Sequence, residues 1–143
     1  MSLTRQEWER RARELRIETR AFIDGHYRAA EEGDTFDCLS PIDGRSLGQV
    51  ASCGPADADL AVQVARERFE SGVWSRLAPV KRKQVMIRFA ERLDAHREEL
   101  ALLESLDMGK PITDALKVDI PAAARALNLR RRTRPPIFPS RSS

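Results

Sequence analysis

The chain has 143 residues and a formal net charge of +3, and 33% of its residues are charged. That length suffices for one domain with its own core, and no apolar run reaches the roughly 18 residues that cross a bilayer, so no membrane-spanning segment is predicted. The charge is uneven, because residues 1–119 carry 19 basic and 22 acidic side chains, whereas residues 120–143 carry six arginines and no acid. Binding to nucleic acid would therefore depend on the C-terminal stretch alone.

The N-terminus and the cysteines indicate a reducing, cytoplasmic location. Residues 1–8 lack the apolar centre of a secretory signal and carry an acid that a transit peptide avoids. Cys38 and Cys53 are the two cysteines, and they do not have metal-ligand spacing. A disulfide between them is possible, but nothing in the sequence favours it.

The first third of the chain predicts one helix followed by short antiparallel strands over about residues 22–51. Thr4 and Glu7 have the spacing of a capping box, and apolar residues at steps of three or four predict a helix from Thr4 to Thr19. Asp24-Gly25 suits a tight hairpin turn, since both positions tolerate positive φ. Further strands are expected over residues 35–39 and 46–51, on either side of a turn.

The remainder of the chain is predicted to be helical, which gives three to four helices overall. One helix begins at Pro55 and ends near Gly72, and an apolar stripe resumes at Pro79 and continues to Leu103. Gly109 can adopt the left-handed conformation that ends a helix, and Pro111 restarts the chain in a new direction. A last helix is expected over residues 112–126, interrupted or restarted at its proline.

A search for catalytic motifs is negative. The sequence contains no G-x-G-x-x-G, P-loop, H-E-x-x-H or G-x-S-x-G pattern. His26 and His96 stand alone and are expected at exposed turn and helix-end positions. Neither cysteine has an adjacent base that would activate a thiolate. The residues by themselves therefore predict no catalytic site and no cofactor-binding site.

Several short stretches nevertheless carry a family pattern: Phe22–Gly25, Thr35-Phe36, Ser40–Gly44, residues 57–69 with Trp74-Ser75, and Glu104–Pro111. In this order they resemble NAD(P)-dependent aldehyde dehydrogenases, which read F-I-n-G, n-P-x-t-G-e, A-x-x-A-F-x-x-x-x-W and L-E-t-L-D-t-G-K-P. The resemblance covers about residues 21–126. Residues 79–88, 95–104 and 119–126 are most similar to bacterial γ-glutamyl-γ-aminobutyraldehyde dehydrogenases.

The resemblance implies an α/β fold of which this chain holds an N-terminal portion, without most of the nucleotide-binding sheet and without the catalytic domain. The family oxidises an aldehyde to a carboxylic acid with NAD or NADP. Its nucleophilic cysteine, general-base glutamate, oxyanion-stabilising asparagine and nucleotide-binding glycines lie beyond the part that this chain matches. We therefore expect a truncated, aldehyde dehydrogenase-like protein that is inactive alone and binds neither nucleotide. The most similar subfamily implies γ-glutamyl-γ-aminobutyraldehyde as the substrate of its full-length relatives.

One minor site of the family does map onto this chain. Many members hold a monovalent cation with backbone carbonyls. These carbonyls lie near the strand that precedes the n-P-x-t-G-e turn and at the aspartate of L-D-x-G-K-P. The matching positions are Leu39 and Asp107, which the resemblance implies as metal ligands. The other ligands of that site have no counterpart in the matched part of the chain.

The chain changes character at its C-terminus, which gives two predicted regions. Residues 1–126 form the aldehyde dehydrogenase-like segment, and residues 127–143 form a disordered Arg/Pro/Ser tail unrelated to the family. A reading-frame change or a truncated gene would explain this tail. The alternative is a small helical interaction module whose basic tail binds nucleic acid, although a single aromatic residue there, Phe138, argues against base stacking.

The resemblance also bears on stability and partners. In the family, this segment lies against the nucleotide-binding sheet, so several helices would lack the surface on which they normally pack. We therefore expect exposed apolar surface, and either a homo-oligomer or association with a full-length relative. Neither a membrane nor nucleic acid is the expected partner.

Overall fold

The computed structural model describes residues 3–129. The elements in chain order are α1 (Arg5–Glu14), β1 (Ala21–Ile23), β2 (His26–Arg28), β3 (Thr35–Leu39), β4 (Ser46–Ala51), α2 (Pro55–Ser71), α3 (Pro79–Ala95), α4 (Arg97–Met108), α5 (Ile112–Asp114), a π-helical segment (Ala115–Asp119) and α6 (Ile120–Leu129). This arrangement confirms the predicted N-terminal α/β portion with short antiparallel strands. None of these helices is both long enough and apolar enough to cross a membrane.

The first strand pair is the predicted tight hairpin. β1 and β2 pair antiparallel, with Ile23 opposite His26, so Asp24 and Gly25 alone form the turn. Their φ angles are 54° and 79°, which is the left-handed conformation that a two-residue hairpin turn requires at both positions. The sequence signal and the observed backbone therefore agree.

The second strand pair forms a separate two-stranded sheet. β3 and β4 are antiparallel, and the register shifts between Cys38 and Leu39, which pair with Gly48 and Ser46. Leu47 is the extra residue of this bulge. A two-stranded sheet is marginal by itself, and this one is extended on one side where the Ala51 amide donates to the Thr19 carbonyl at 2.9 Å.

Helix α1 is shorter than the sequence predicts. It begins at the predicted cap, where the Thr4 hydroxyl accepts from the Glu7 amide, but it ends at Glu14 rather than at Thr19. Leu15 is extended, with φ −65° and ψ 126°. The β-branched residues Ile17 and Thr19 favour extended backbone, and pairing of Thr19 with β4 draws this stretch away from the helix.

The apolar stripe that begins at Pro79 belongs to two helices rather than one. The chain bends at His96, whose φ of −102° and ψ of 21° are outside the helical range, and α4 starts directly afterwards. The bend allows α4 to bury a different face, made of Ala101, Leu102, Ser105 and Leu106. Leu100 and Leu103, which the sequence places on the common stripe, are half-buried.

The last helix runs without a break through α5, the π-helical segment and α6. The helix is not interrupted at the predicted position, Pro121; the irregularity is a π-helical turn that ends just before it, at Asp119. The helix continues to Leu129, three residues beyond the predicted end at Ala126. A π turn is tolerated where packing on both sides of it holds the helix in place. The predicted tail lies, from Arg130 onward, outside the described residues, so the division into two regions stays a prediction.

The buried core is small and lies around α4. Its apolar members in the described residues are Ala30, Ala90, Ala101, Leu102, Leu106, Ala115 and Ala124. Many larger apolar side chains are exposed instead; Phe69 on α2 is 70% exposed, and Phe22 on β1 is 61% exposed. The expectation of exposed apolar surface is thus met, and α2 has β1 as its main neighbour.

Candidate functional site

The corner after α4 contains the most specific sequence pattern of the chain. Gly109 ends the helix with a φ of 70°, and its amide donates to the Ser105 carbonyl at 3.0 Å. The Ser105 hydroxyl, which is almost completely buried, donates to the Lys110 carbonyl at 2.7 Å. The two bonds fix the direction in which the chain leaves the helix.

The turn after β3 packs against this corner. Ser40 is 1% exposed; its amide donates to the Arg45 carbonyl at 2.9 Å, and its carbonyl accepts from the Gly44 amide at 2.8 Å. Its hydroxyl accepts from the Ile42 amide at 3.3 Å. Pro41 lies so close to Gly109 that a Cβ there would be 3.1 Å from the proline Cγ.

An ion pair connects the corner to the last helix. Lys110 Nζ lies 2.6 Å from Asp119 Oδ2. The hydrogen bond to Asp119 raises the pKa of Lys110 above its ordinary value, against the opposing effect of partial burial. Since the lysine side chain is 39% exposed, solvent screens this attraction, and the pair orients the loop more than it stabilises the fold.

The structure brings the two predicted cation-ligand positions into one neighbourhood. Leu39 is the last residue of β3, and Asp107 is in the last turn of α4. The thiol of Cys38, next to Leu39, donates to Asp107 Oδ1 at 3.6 Å. Residues 3–129 contain no group of three or more His, Cys, Asp or Glu side chains that could hold a metal ion. A cation held by backbone carbonyls at Leu39 and Asp107 stays a prediction.

These features can be compared with known proteins. A model of the aldehyde dehydrogenase family matches residues 27–132, which is most of the chain. The chain belongs to the aldehyde dehydrogenase family. The helix-ending glycine and the turn packed against it lie within the matched residues, and the resemblance predicted from the sequence is confirmed.

Curated relatives give the same result. The chain is 48% identical to the NADP/NAD-dependent aldehyde dehydrogenase PuuC of Escherichia coli, over 84% of this chain and 24% of that protein. It is 43% identical to the aminoacetaldehyde dehydrogenase of Pseudomonas aeruginosa, over 87% of this chain and 25% of that protein. The chain thus spans about a quarter of the length of the curated relatives that it matches.

Solved aldehyde dehydrogenases share the fold. An indole-3-acetaldehyde dehydrogenase from P. syringae, in complex with NAD⁺, superposes with a TM-score of 0.88 at 64% identity, over 90% of this chain and 26% of that chain. The γ-glutamyl-γ-aminobutyraldehyde dehydrogenase of Burkholderia cenocepacia gives 0.85 at 54% identity, over 86% and 25%. The similarity to γ-glutamyl-γ-aminobutyraldehyde dehydrogenases is confirmed. The indole-3-acetaldehyde dehydrogenase, which is named for a different aldehyde, is at least as similar to this chain.

The environment of Cys38 opposes formation of a thiolate. Cys38 and Cys53 are both free thiols. Burial raises the pKa of Cys38, and the hydrogen bond to the Asp107 carboxylate raises it further, because a negative neighbour opposes thiolate formation. A catalytic thiolate needs the opposite environment, and the absence of a nucleophilic cysteine stays a prediction.

The environment of Cys38 leads to a test by alkylation. At neutral pH, Cys38 should react with iodoacetamide at least about threefold more slowly than the exposed Cys53, since burial and the Asp107 carboxylate raise the pKa of Cys38 and its thiol is less accessible. Asp107→Asn should accelerate the reaction of Cys38 and leave Cys53 unchanged. Peptide mass spectrometry follows both thiols in one sample. Faster alkylation of Cys38 than of Cys53 would contradict this account.

The histidines occupy the exposed positions that the sequence predicts. His26 is the first residue of β2, directly after the hairpin turn. His96 joins α3 to α4, and its Nδ1 lies 3.2 Å from Glu99 Oε2. Both side chains are exposed, and neither contacts a cysteine, so they provide no general base for thiol chemistry.

Sequence reasoning missed the structural role of Asp57. Its carboxylate is 3% exposed and accepts hydrogen bonds from the Gly54 amide at 3.1 Å and from the Glu31 amide at 3.1 and 3.2 Å. Asp57 therefore caps α2 and attaches it to the loop after β2. An acid at the third position of a helix that begins Gly-Pro is a signal for the cap, but the bond to Glu31 depends on tertiary structure.

Proposed function

We propose that this chain supplies the N-terminal segment of an NAD(P)-dependent aldehyde dehydrogenase and does not oxidise aldehydes by itself. The observation that carries the proposal is the environment of Cys38, whose thiol donates to the Asp107 carboxylate at 3.6 Å and whose pKa is raised by burial and by that carboxylate. The full sequence has no third cysteine. Formation and oxidation of a thiohemiacetal need a thiolate, a base and a bound nicotinamide in one place.

The substrate of the whole enzyme is proposed to be an aminoaldehyde, with γ-glutamyl-γ-aminobutyraldehyde as the first choice. Two similar proteins are named for aldehydes of this kind, the aminoacetaldehyde dehydrogenase of P. aeruginosa and the γ-glutamyl-γ-aminobutyraldehyde dehydrogenase of B. cenocepacia. Catabolism of putrescine is the corresponding proposed role. The two free thiols support a reducing, cytoplasmic location.

NAD or NADP is proposed as the cofactor of the whole enzyme, but the N-terminus of α2 does not suit its phosphates. Phosphates bind at helix N-termini that offer free amides on a glycine-rich loop. At the N-terminus of α2, the Asp57 carboxylate already accepts from the Gly54 amide. Its negative charge would repel a pyrophosphate. The pyrophosphate of the cofactor is therefore proposed to bind elsewhere in the whole enzyme.

The proposal predicts that the purified chain does not reduce NAD⁺ or NADP⁺ when γ-glutamyl-γ-aminobutyraldehyde or aminoacetaldehyde is added. Absorbance at the reduced-nicotinamide band measures this, with the B. cenocepacia enzyme as the positive control. Cys38→Ser/Cys53→Ser is the matched variant and should give the same background. Turnover that this variant abolishes would contradict the proposal.

We further propose that the chain associates through its exposed apolar side chains, either with itself or with a full-length relative. Val62 and Phe69 on α2 are 63% and 70% exposed, and Phe22 on the neighbouring hairpin is 61% exposed. Apolar surface of this kind is usually covered by a partner. The observation supports association without distinguishing the two partners.

Association predicts an apparent mass that rises with protein concentration in sedimentation velocity. Phe69→Ser should shift the distribution towards the monomer, because it removes the most exposed of the large apolar side chains. Glu67→Ser, an exposed position on the same helix, is the matched control and should have no effect. A strictly monomeric native chain over the accessible concentration range would exclude self-association.

A further inference from the structure

An open groove of about 650 Å³ lies between α1, the turn after β3, α4 and the start of the last helix. Its apolar wall includes Trp8 and Ala12 of α1, Leu102 and Leu106 of α4, and Leu116 of the π-helical segment. Leu102 and Leu106 are among the few large apolar side chains that the core buries. The volume is within the range of small-molecule sites, about 300–1,000 Å³.

Cationic side chains line the groove in excess of acids. Two of them are already neutralised, because Arg5 Nε lies 2.8 Å from Glu9 Oε1 and Arg45 Nε lies 3.5 Å from Asp43 Oδ2. Arg13 and Lys117 also line the groove, and within residues 3–129 neither has an acidic oxygen in salt-bridge distance. They come from α1 and the π-helical segment, and they give the groove an excess of positive charge.

Two buried serines also line the groove. The Ser105 hydroxyl donates to the Lys110 carbonyl, and the Ser40 hydroxyl accepts from the Ile42 amide, which leaves the Ser40 O–H able to donate. Besides these serines and Thr113, the lining consists of apolar and charged side chains. This combination suits an apolar occupant that carries one anionic group.

We propose that this groove binds a single-chain aliphatic carboxylate, with the hydrocarbon against the leucines and Trp8 and the carboxylate between Arg13 and Lys117. Charge complementarity selects the anion, and the apolar wall selects a chain of many methylenes. The inference is independent of the proposed enzymatic role, because it uses no residue assigned to that role.

Tryptophan fluorescence tests the proposal on the full chain. Trp74→Phe leaves Trp8, which lines the groove, as the sole tryptophan. Titration with decanoate below its critical micelle concentration should change Trp8 emission with one-to-one stoichiometry, and octanoate should bind about tenfold more weakly for two fewer methylenes. Decylammonium, which has the same chain and the opposite charge, should bind more weakly than decanoate.

Variants separate the groove from general affinity for amphiphiles. Arg13→Gln or Lys117→Gln should each weaken decanoate binding by about twofold to fivefold, as expected for exposed ion pairs, and the double variant should weaken it further. Lys83→Gln, on an exposed turn of α3, should leave it unchanged. Equal binding of decylammonium, equal effects of Lys83→Gln, or dimerisation through the groove without decanoate binding would each overturn the proposal.

Discussion

Replacing Asp57 with alanine is expected to lower the free energy of unfolding by about 2 kcal/mol, because it leaves two backbone amides without their acceptor. The carboxylate accepts from Gly54 within the first turn of α2 and from Glu31 in the loop after β2. Loss of the cap alone costs about 1 kcal/mol. The unpaired Glu31 amide adds a comparable amount, since the site is 3% exposed.

Urea denaturation followed by circular dichroism measures this change, and hydrogen exchange shows where it acts. Exchange should accelerate most in α2, whose main neighbour among the other elements is β1. Asp59→Ala is the matched control, because Asp59 is exposed on the same helix, and it should change stability by less than about 0.5 kcal/mol. Equal effects of the two substitutions would refute the capping role of Asp57.

Gly109→Ala is expected to destabilise the fold by about 2 kcal/mol, from two separate causes. The φ of 70° is a conformation that an alanine adopts at a cost, and the added Cβ would lie 3.1 Å from Pro41 Cγ. The proline belongs to the turn that Ser40 holds, so it cannot move away without disturbing buried hydrogen bonds.

A second glycine, Gly25, allows the backbone strain to be measured separately from the contact with Pro41. Gly25 has a φ of 79°, and nothing lies within 4 Å of a Cβ built on it. Gly25→Ala should therefore cost only the backbone strain, about 1 kcal/mol. Thermal or urea denaturation of both variants gives the difference, which is assigned to contact with Pro41. If Gly25→Ala costs as much as Gly109→Ala, the packing of the turn against the corner contributes nothing.

Local sequence signals predicted the parts of the fold that local chemistry decides. Asp24-Gly25 specifies a two-residue turn whatever surrounds it, and Gly109 followed by Pro111 specifies a helix end. The same is true of the cap at Thr4, where the hydroxyl and the amide that it accepts from are three residues apart. The first strands, the start of α1 and the end of α4 were predictable for this reason.

Features that depend on tertiary contacts were not predictable. The stretch after Glu14 has helical periodicity, but Thr19 pairs with β4, which lies far along the chain. The bend at His96 and the π-helical segment likewise follow from the faces that α4 and the last helix bury. Asp57 shows the same limit, since its partner Glu31 is 26 residues away.

The candidate site was likewise predictable only in part. Family resemblance assigned Leu39 and Asp107 to one cation site, which stays a prediction, and Cys38, the residue before Leu39, donates to Asp107. The groove lined by Arg13 and Lys117 was not foreseen, because α1, the turn after β3 and the last helix are distant in sequence. The composition did not indicate the cationic lining of this groove either, since residues 1–119 as a whole carry more acids than bases.

The most direct test of the central claim is a chimera. Residues 27–126 of this chain replace the equivalent segment of the B. cenocepacia γ-glutamyl-γ-aminobutyraldehyde dehydrogenase, which shares 54% identity with it. The assay measures NAD(P)⁺ reduction with γ-glutamyl-γ-aminobutyraldehyde. If this chain is an aldehyde dehydrogenase segment that carries no chemistry of its own, the chimera is active and Cys38→Ser/Cys53→Ser within the segment leaves its rate unchanged. A soluble chimera without activity, or activity that depends on either cysteine, would contradict the account.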